Sequence, residues 1–334
     1  MRAMLLRQHA PIAERPLEEV ELPGPEPGPG ELLVRVRACA ICRTDLHVIE
    51  GDLSPAKLPI VPGHQVVGVV EGRGEGAEAF EIGDRVGIAW LRGTCGQCGF
   101  CLTGRENLCA GSVYTGHDED GGYAELARVD QNFAYRLPDA FSDAEATPLL
   151  CAGIIGFRAL RRANVQGAGR LALYGFGSSA HIVIQLARHR GHRVFVATRG
   201  ESHRKLAERM GAEWVGGPHD RPPEPVDSAI VFAPAGELVP PALQALEKGG
   251  TVALAGIHMS DVPPLTYATH LFHEKTLQSV EANTRLDGRE LLAEAEAIPI
   301  RPEVTTFRLE EANEALLALA SDGIDGTGVL VVSE

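Results

Sequence analysis

Leu171-Ala-Leu-Tyr-Gly175-Phe-Gly177-Ser-Ser-Ala180 is an apolar run, a glycine turn and the opening of a helical stretch, and its reading decides the fold. A strand that enters a helix through two glycines is the context in which a dinucleotide pyrophosphate is held. The first glycine permits the tight turn, and the second lets the backbone approach phosphate at the helix N-terminus. Gly175, Phe176, Gly177, Ser178 and Ser179 are therefore expected to bind a cofactor, with Ala180 standing in the place of a third glycine.

Downstream the same rhythm repeats. A helical stretch runs through Ile182 to Arg190, Val194-Phe-Val-Ala-Thr198 reads as a strand, and a helix is expected near His203 to Met210. Further apolar runs begin at Ser228, Thr251 and Thr276. Strands alternating with helices predict a doubly wound parallel sheet, and with it an α/β fold of the Rossmann type. Upstream the pattern differs. Residues 1–150 are cut by Gly and Pro into short β-type runs, such as Glu31-Leu-Leu-Val-Arg-Val-Arg-Ala38 and Gln65-Val-Val-Gly-Val-Val-Glu71. That is the pattern of an all-β barrel or sandwich. A chain of 334 residues has room for two such domains.

Composition limits the partners. A formal net charge of -14 argues against nucleic acid and anionic membranes, which need clustered Lys and Arg. No stretch approaches the roughly 20 consecutive apolar residues of a membrane helix, and the N-terminal residues lack the pattern of a secretory signal. A cytoplasmic location is expected, and there cellular thiol buffers make the seven cysteines metal ligands or reactive thiols rather than disulfides.

Their spacing separates them into sets. Cys95, Cys98, Cys101 and Cys109 lie within fifteen residues of a Gly-rich loop, and four thiolates can close a tetrahedral shell on a structural zinc. Cys42, His64 and Cys151 are scattered; two thiolates and one imidazole leave a fourth zinc position for substrate. Singly, a buried cysteine is more often a small hydrophobe. Cys39, which reads as lying on the same strand as Cys42, is assigned to packing.

Together these motifs resemble the zinc-dependent medium-chain dehydrogenase/reductases, in particular the bacterial and yeast alcohol dehydrogenases. The matching stretches are Cys42-Arg-Thr-Asp-Leu-His47, Gly63-His64, Gly83-Asp-Arg-Val-Gly87, Trp90, the four-cysteine loop, Gly121-Gly-Tyr-Ala-Glu125, Leu150-Cys151-Ala-Gly153 and the glycine turn, all in the family's order. The resemblance implies a mainly β GroES-like catalytic domain over residues 1–151 and 284–334, the tail returning to it, and a Rossmann domain over 152–283. It implies a catalytic zinc on Cys42, His64 and Cys151, and a structural zinc on the other four thiols, two per chain. It further implies reversible oxidation of a primary or secondary alcohol, the alkoxide formed on zinc giving its hydride to NAD(P). Thr44 and His47 are expected to relay the proton, Arg43 to meet the cofactor pyrophosphate, Asp45 to orient His64, Trp90 and Thr44 to line the substrate pocket, and Ile257 to contact the cofactor. Family members are dimers or tetramers, so a homodimer or homotetramer is expected, with the segment from Thr276 to Ala282 as a plausible seam.

Three positions depart from the common pattern. Where NAD-preferring relatives carry an acidic residue, this chain reads Ala197-Thr198-Arg199-Gly200, and a hydroxyl beside a guanidinium suits the 2′-phosphate of NADP better than a carboxylate would. Gln65 replaces the usual Glu after the zinc histidine, and Thr327 stands where many relatives place an arginine. Two rival functions follow from the same residues. A polyol dehydrogenase is disfavoured because both cysteine sets are present, and a non-catalytic zinc scaffold because Thr44 and His47 accompany the ligands.

Overall fold

The computed structural model describes residues 1–333, which divide into two compact units. Unit 1 comprises residues 1–151, 283–297 and 302–333; unit 2 comprises residues 152–282 and 298–301.

In unit 1, β1 (Arg2–Leu6) pairs antiparallel with β2 (Leu17–Glu21). β3 (Glu31–Ala40) alternates buried Leu32, Val34 and Val36 with the more exposed Leu33, Arg35 and Arg37, the period of two that puts one face of a strand on the core. The helix α1 (Arg43–Glu50) follows, then β4 (Gln65–Arg73), β5 (Arg85–Ile88) and β6 (Leu91–Gly93). A short α2 (Gly99–Leu102) lies in the long loop to β7 (Val113–Tyr114), which pairs back onto β6. β8 (Leu126–Asp130), β9 (Ala134–Arg136) and a one-turn α3 (Asp143–Ala146) complete this part. Cys39 is fully buried in the core on β3, as packing requires. Cys42 is not on that strand: the chain leaves β3 after Ala40, and Cys42 is the N-cap of α1, in extended backbone with φ −146 and ψ 164.

Unit 2 opens with α4 (Ala152–Ala163) and β10 (Arg170–Tyr174), whose register runs parallel to β11 (Arg193–Ala197) across α5 (Ser178–His189). After α6 (Glu201–Arg209) come β12 (Trp214–Gly216), β13 (Val226–Val231), α7 (Val239–Ala245), β14 (Leu246–Leu254), α8 (Tyr267–His270) and β15 (Thr276–Ser279). All pairings are parallel, and the spatial order is β12-β11-β10-β13-β14-β15, the doubly wound Rossmann arrangement expected from the glycine turn. The order reverses between β10 and β13, so the turn after β10 sits at the switch point where such sheets bind ligands.

The chain then returns to unit 1 through α9 (Arg285–Ala297), β16 (Val304–Arg308), α10 (Ala312–Ala320) and β17 (Thr327–Val331). β17 pairs antiparallel with β3, which gives a seven-stranded sheet in the order β16-β17-β3-β4-β5-β9, with β8 also on β3. Strands β12 and β16 and helices α4 and α7 were not visible in the sequence pattern. Among the described residues no helix is long and apolar enough to cross a membrane.

One crossing in unit 1 is set by glycines. Gly121 N donates to Val61 O at 2.7 Å and Gly122 N to Gly63 O at 2.9 Å, so this segment lies flat on the backbone that leads into His64. A Cβ on Gly121 would stand 2.0 Å from Gly63 O and 2.7 Å from Pro62 O. Gly121→Ala should therefore cost about 2–4 kcal/mol of stability, whereas Gly99→Ala, which meets open space, should stay within about 0.5 kcal/mol. Thermal unfolding of the two variants checks this; equal midpoints would show that the crossing yields.

Candidate functional site

The loop between β6 and β7 has little core of its own, and it gathers its four sulfurs instead. The Sγ atoms of Cys95, Cys98, Cys101 and Cys109 all lie within 4.8 Å of one another. Cys98 N and Gly111 N point at Cys95 Sγ and Cys109 Sγ, each at 3.3 Å. Backbone N–H groups of Gln97 and Cys98 bring the Cys95 thiol down to about 6, which favours the thiolate that a metal takes. None of the seven cysteines forms a disulfide. The loop is anchored by Glu106, whose carboxylate accepts from Arg285 N, Nε and Nη2 at the start of α9 at 2.6–3.0 Å.

The second set is built around α1. Cys42 caps that helix through its sulfur, which accepts from Thr44 N at 3.3 Å, while Cys42 N donates to Asp45 Oδ2 at 2.8 Å. His64 follows Gly63, whose φ of +95 only glycine adopts readily, and Cys151 ends the turn Thr147–Leu150. The Cys42 and Cys151 sulfurs and a His64 nitrogen lie within 4.8 Å of one another. Asp45, 2 % exposed, accepts from His64 Nδ1 at 2.9 Å and from Tyr123 Oη at 3.0 Å. His64, 1 % exposed, keeps a buried Nε2 with no hydrogen-bond partner. An orphaned imidazole nitrogen beside two sulfurs fits a soft divalent metal such as zinc, because leaving such an atom bare is costly.

The charges of this trio agree with that fit. Burial opposes a charged His64, but the Asp45 carboxylate and Cys42 outweigh it and push the imidazole up to about 10. Cys42 is held well below the ordinary thiol range, first by a hydrogen bond from Cys151, while Cys151 is pushed well above it by that same bond and by burial. These shifts favour keeping protons on His64 and Cys151 in the metal-free site, and a metal must displace the protons its ligands carry.

Thr44, buried, and His47 stand three residues apart on α1 and so share a face. Trp90, 8 % exposed, packs edge-on to His64 with centroids 5.0 Å apart, and stacks on Tyr114 at 4.8 Å with an interplanar angle of 18°. His117 meets Trp90 edge-on at 5.7 Å. Sequence reasoning missed Tyr114 and His117, because they reach Trp90 only through the pairing of β6 with β7. Arg43, expected at the pyrophosphate, donates from Nη2 to Asp322 Oδ1 at 2.7 Å, within unit 1. Gln65 is fully buried on β4 and Thr327 is buried at the start of β17.

In unit 2, Gly175 has φ +89 and a Cβ there would lie 2.9 Å from Ala233 N, whereas a Cβ on Gly177 would meet nothing. The second glycine thus leaves space outside the N-terminus of α5, where the Ser178 and Ser179 N–H groups begin the helix. The Phe176 side chain is buried, so it can offer a nucleotide only its backbone. Thr198 is 2 % exposed and its hydroxyl donates to Arg199 O at 3.3 Å. A second guanidinium, unforeseen, comes from Arg204, whose Nε donates to Thr198 O at 3.2 Å. Ile257 is exposed after β14.

Zinc uptake by metal-free protein at pH 7 should release protons, and affinity should fall as pH is lowered, since the displaced protons then compete better. Calorimetric titration in buffers of differing ionisation enthalpy checks it; a heat that does not depend on buffer would refute it.

Comparison with known proteins places this geometry. Residues 28–139 match the alcohol dehydrogenase GroES-like domain and residues 180–297 the zinc-binding dehydrogenase family. The chain is 50% identical over 337 residues to a probable alcohol dehydrogenase of Mycobacterium tuberculosis, covering 99% of this chain and 97% of that one. It is similar in structure to a cobalt- and zinc-bound thermostable alcohol dehydrogenase from Pyrobaculum aerophilum, with TM-score 0.89, 26% identity and 99% of both chains covered. A zinc-binding dehydrogenase from Sinorhizobium meliloti bound to NADP also matches, with TM-score 0.86, 25% identity and 99% of both chains covered. The chain belongs to the zinc-dependent alcohol dehydrogenases of the medium-chain dehydrogenase/reductase superfamily.

Proposed function

We propose that this alcohol dehydrogenase interconverts primary or secondary alcohols and the matching aldehydes or ketones, with substrate oxygen bound beside Cys42, His64 and Cys151 and hydride exchanged with NAD(P). The observation that carries the reading is the buried, unpartnered His64 Nε2 beside two sulfurs. Zinc in such a shell supplies a Lewis acid with one open position. Asp45 holds the His64 ring so that Nε2 faces the sulfurs, Trp90 shields that ring on one side, and the Thr44 hydroxyl takes the proton of the alcohol and passes it towards His47. The four-sulfur set is closed, so it stabilises its loop and offers substrate no site. A thiol, Cys151, as the third ligand and an intact four-cysteine loop speak against a polyol dehydrogenase.

For the cofactor we favour NADP over NAD. Arg199, just after β11, and Arg204 of α6, whose Nε reaches Thr198 O, supply two guanidinium groups and no carboxylate stands at residues 197–200, the balance that suits a 2′-phosphate. We read β15, an edge strand of its sheet, as the seam of a homodimer or homotetramer, and the reduced thiols as suited to the cytoplasm.

Metal analysis should find two zinc ions per chain, one for each ligand set, and Cys151→Ser should lose one of them together with activity. One zinc in an active wild type, or full activity in the variant, would sink the open-site assignment. Ethanol, 2-propanol and benzyl alcohol, followed by reduced-nicotinamide absorbance with each cofactor, test the rest. We expect kcat/KM about tenfold higher with NADP, the scale of one charge-assisted hydrogen bond; parity or a preference for NAD would overturn the choice.

A further inference from the structure

A relay that ends on His47 needs that imidazole to present one defined nitrogen, and the end of α1 supplies the means. The helix stops at Gly51, whose φ of +93 reverses the chain, and both Gly51 N and Leu53 N donate to His47 O, at 3.1 and 3.0 Å. Only glycine takes this turn without strain, and it is packed as well, since a Cβ on Gly51 would lie 3.1 Å from His9 Cγ. The reversal carries the next residue back along the last helical turn. Asp52 Oδ2 comes to rest 2.8 Å from His47 Nδ1. The imidazole is sheltered, at 16 % exposure of the side chain, while the carboxylate is half in water at 47 %.

We propose that Asp52 is a positioning residue of the proton relay, holding His47 with Nδ1 protonated so that the lone pair of the ring lies on Nε2, the base. An ionised carboxylate only accepts hydrogen bonds, so its partner nitrogen must carry the hydrogen and the neutral ring's lone pair falls on Nε2. When the alcohol is oxidised, the O–H bond of the hydroxyl that delivers the proton breaks and an Nε2–H bond forms. The resulting imidazolium is held against the carboxylate until water takes the Nε2 proton, which restores the starting ring. No other group is consumed. A ring free to turn, or in the other tautomer, would offer the incoming proton an N–H instead of a lone pair. The inference rests on the reading of Thr44 and His47 as the relay, and its test separates the two.

Asp52→Asn, His47→Gln and the double variant are compared by kcat and KM with the fastest alcohol of the panel above. Asp52→Asn should lower kcat about tenfold, a part of what a general base contributes, and leave KM within about twofold. Asp52→Glu should regain most of the rate, and Asp52→Asn should add nothing in the His47→Gln background. Added imidazole should restore His47→Gln and the double variant alike. Zinc content and thermal midpoint should match the wild type in every case. Loss of either in Asp52→Asn, an equal loss of rate in both backgrounds, or a normal rate in Asp52→Asn beside a slow His47→Gln overturns the role of Asp52 and leaves the relay standing. A His47→Gln variant as fast as wild type overturns both.

Discussion

One buried carboxylate organises the open metal centre. Asp45 accepts from Cys42 N, from His64 Nδ1 and from Tyr123 Oη, three donors that belong to segments far apart in the chain. A carboxylate removed from water is tolerated only when its lone pairs are taken up, so this group obliges the three segments to converge. The convergence has a chemical result. The helix cap fixes the Cys42 sulfur at the N-terminus of α1, where thiolate is favoured, and the ring of His64 is turned so that its second nitrogen faces the sulfurs. Tyr123, in turn, belongs to the glycine crossing that lies on residues 61–63. Scaffold and ligand geometry are thus one set of hydrogen bonds.

Sequence made legible what is local. The four-cysteine loop could be read from spacing alone because all its donors fall within one short loop, and the glycine turn because strand, turn and helix are contiguous. The three scattered ligands needed the resemblance to a family, since nothing in the intervals between Cys42, His64 and Cys151 says that they meet. What stayed hidden depended on pairing or on reversal of the chain. Tyr114 and His117 join Trp90 through a two-stranded pairing of five residues in all, and Asp52 reaches His47 through a left-handed glycine rather than through helical spacing. The ion pair of Arg43 with Asp322 spans 279 residues. Short strands such as β12 and β16 carry too few apolar residues to show a period of two.

Unit 1 closes on itself only at β17, and that order has a consequence for biosynthesis. β3 carries Cys39 and leads into Ile41, both buried, and β17 lies antiparallel along β3, with Leu330 opposite Cys39 and Gly328 flush against Ile41. These residues emerge from the ribosome after the whole of unit 2 has been made. During synthesis the last residues of β3, Ala38 to Ala40, therefore wait for this partner while most of the chain is added, a contact of high sequence separation that is slow to form. Unit 2, whose strands pair in nearly sequential order, has no such delay and can serve as a folded insert within an unfinished host. Chaperone demand and misassembly should then fall chiefly on the β-rich unit, during the interval between its first strands and its last.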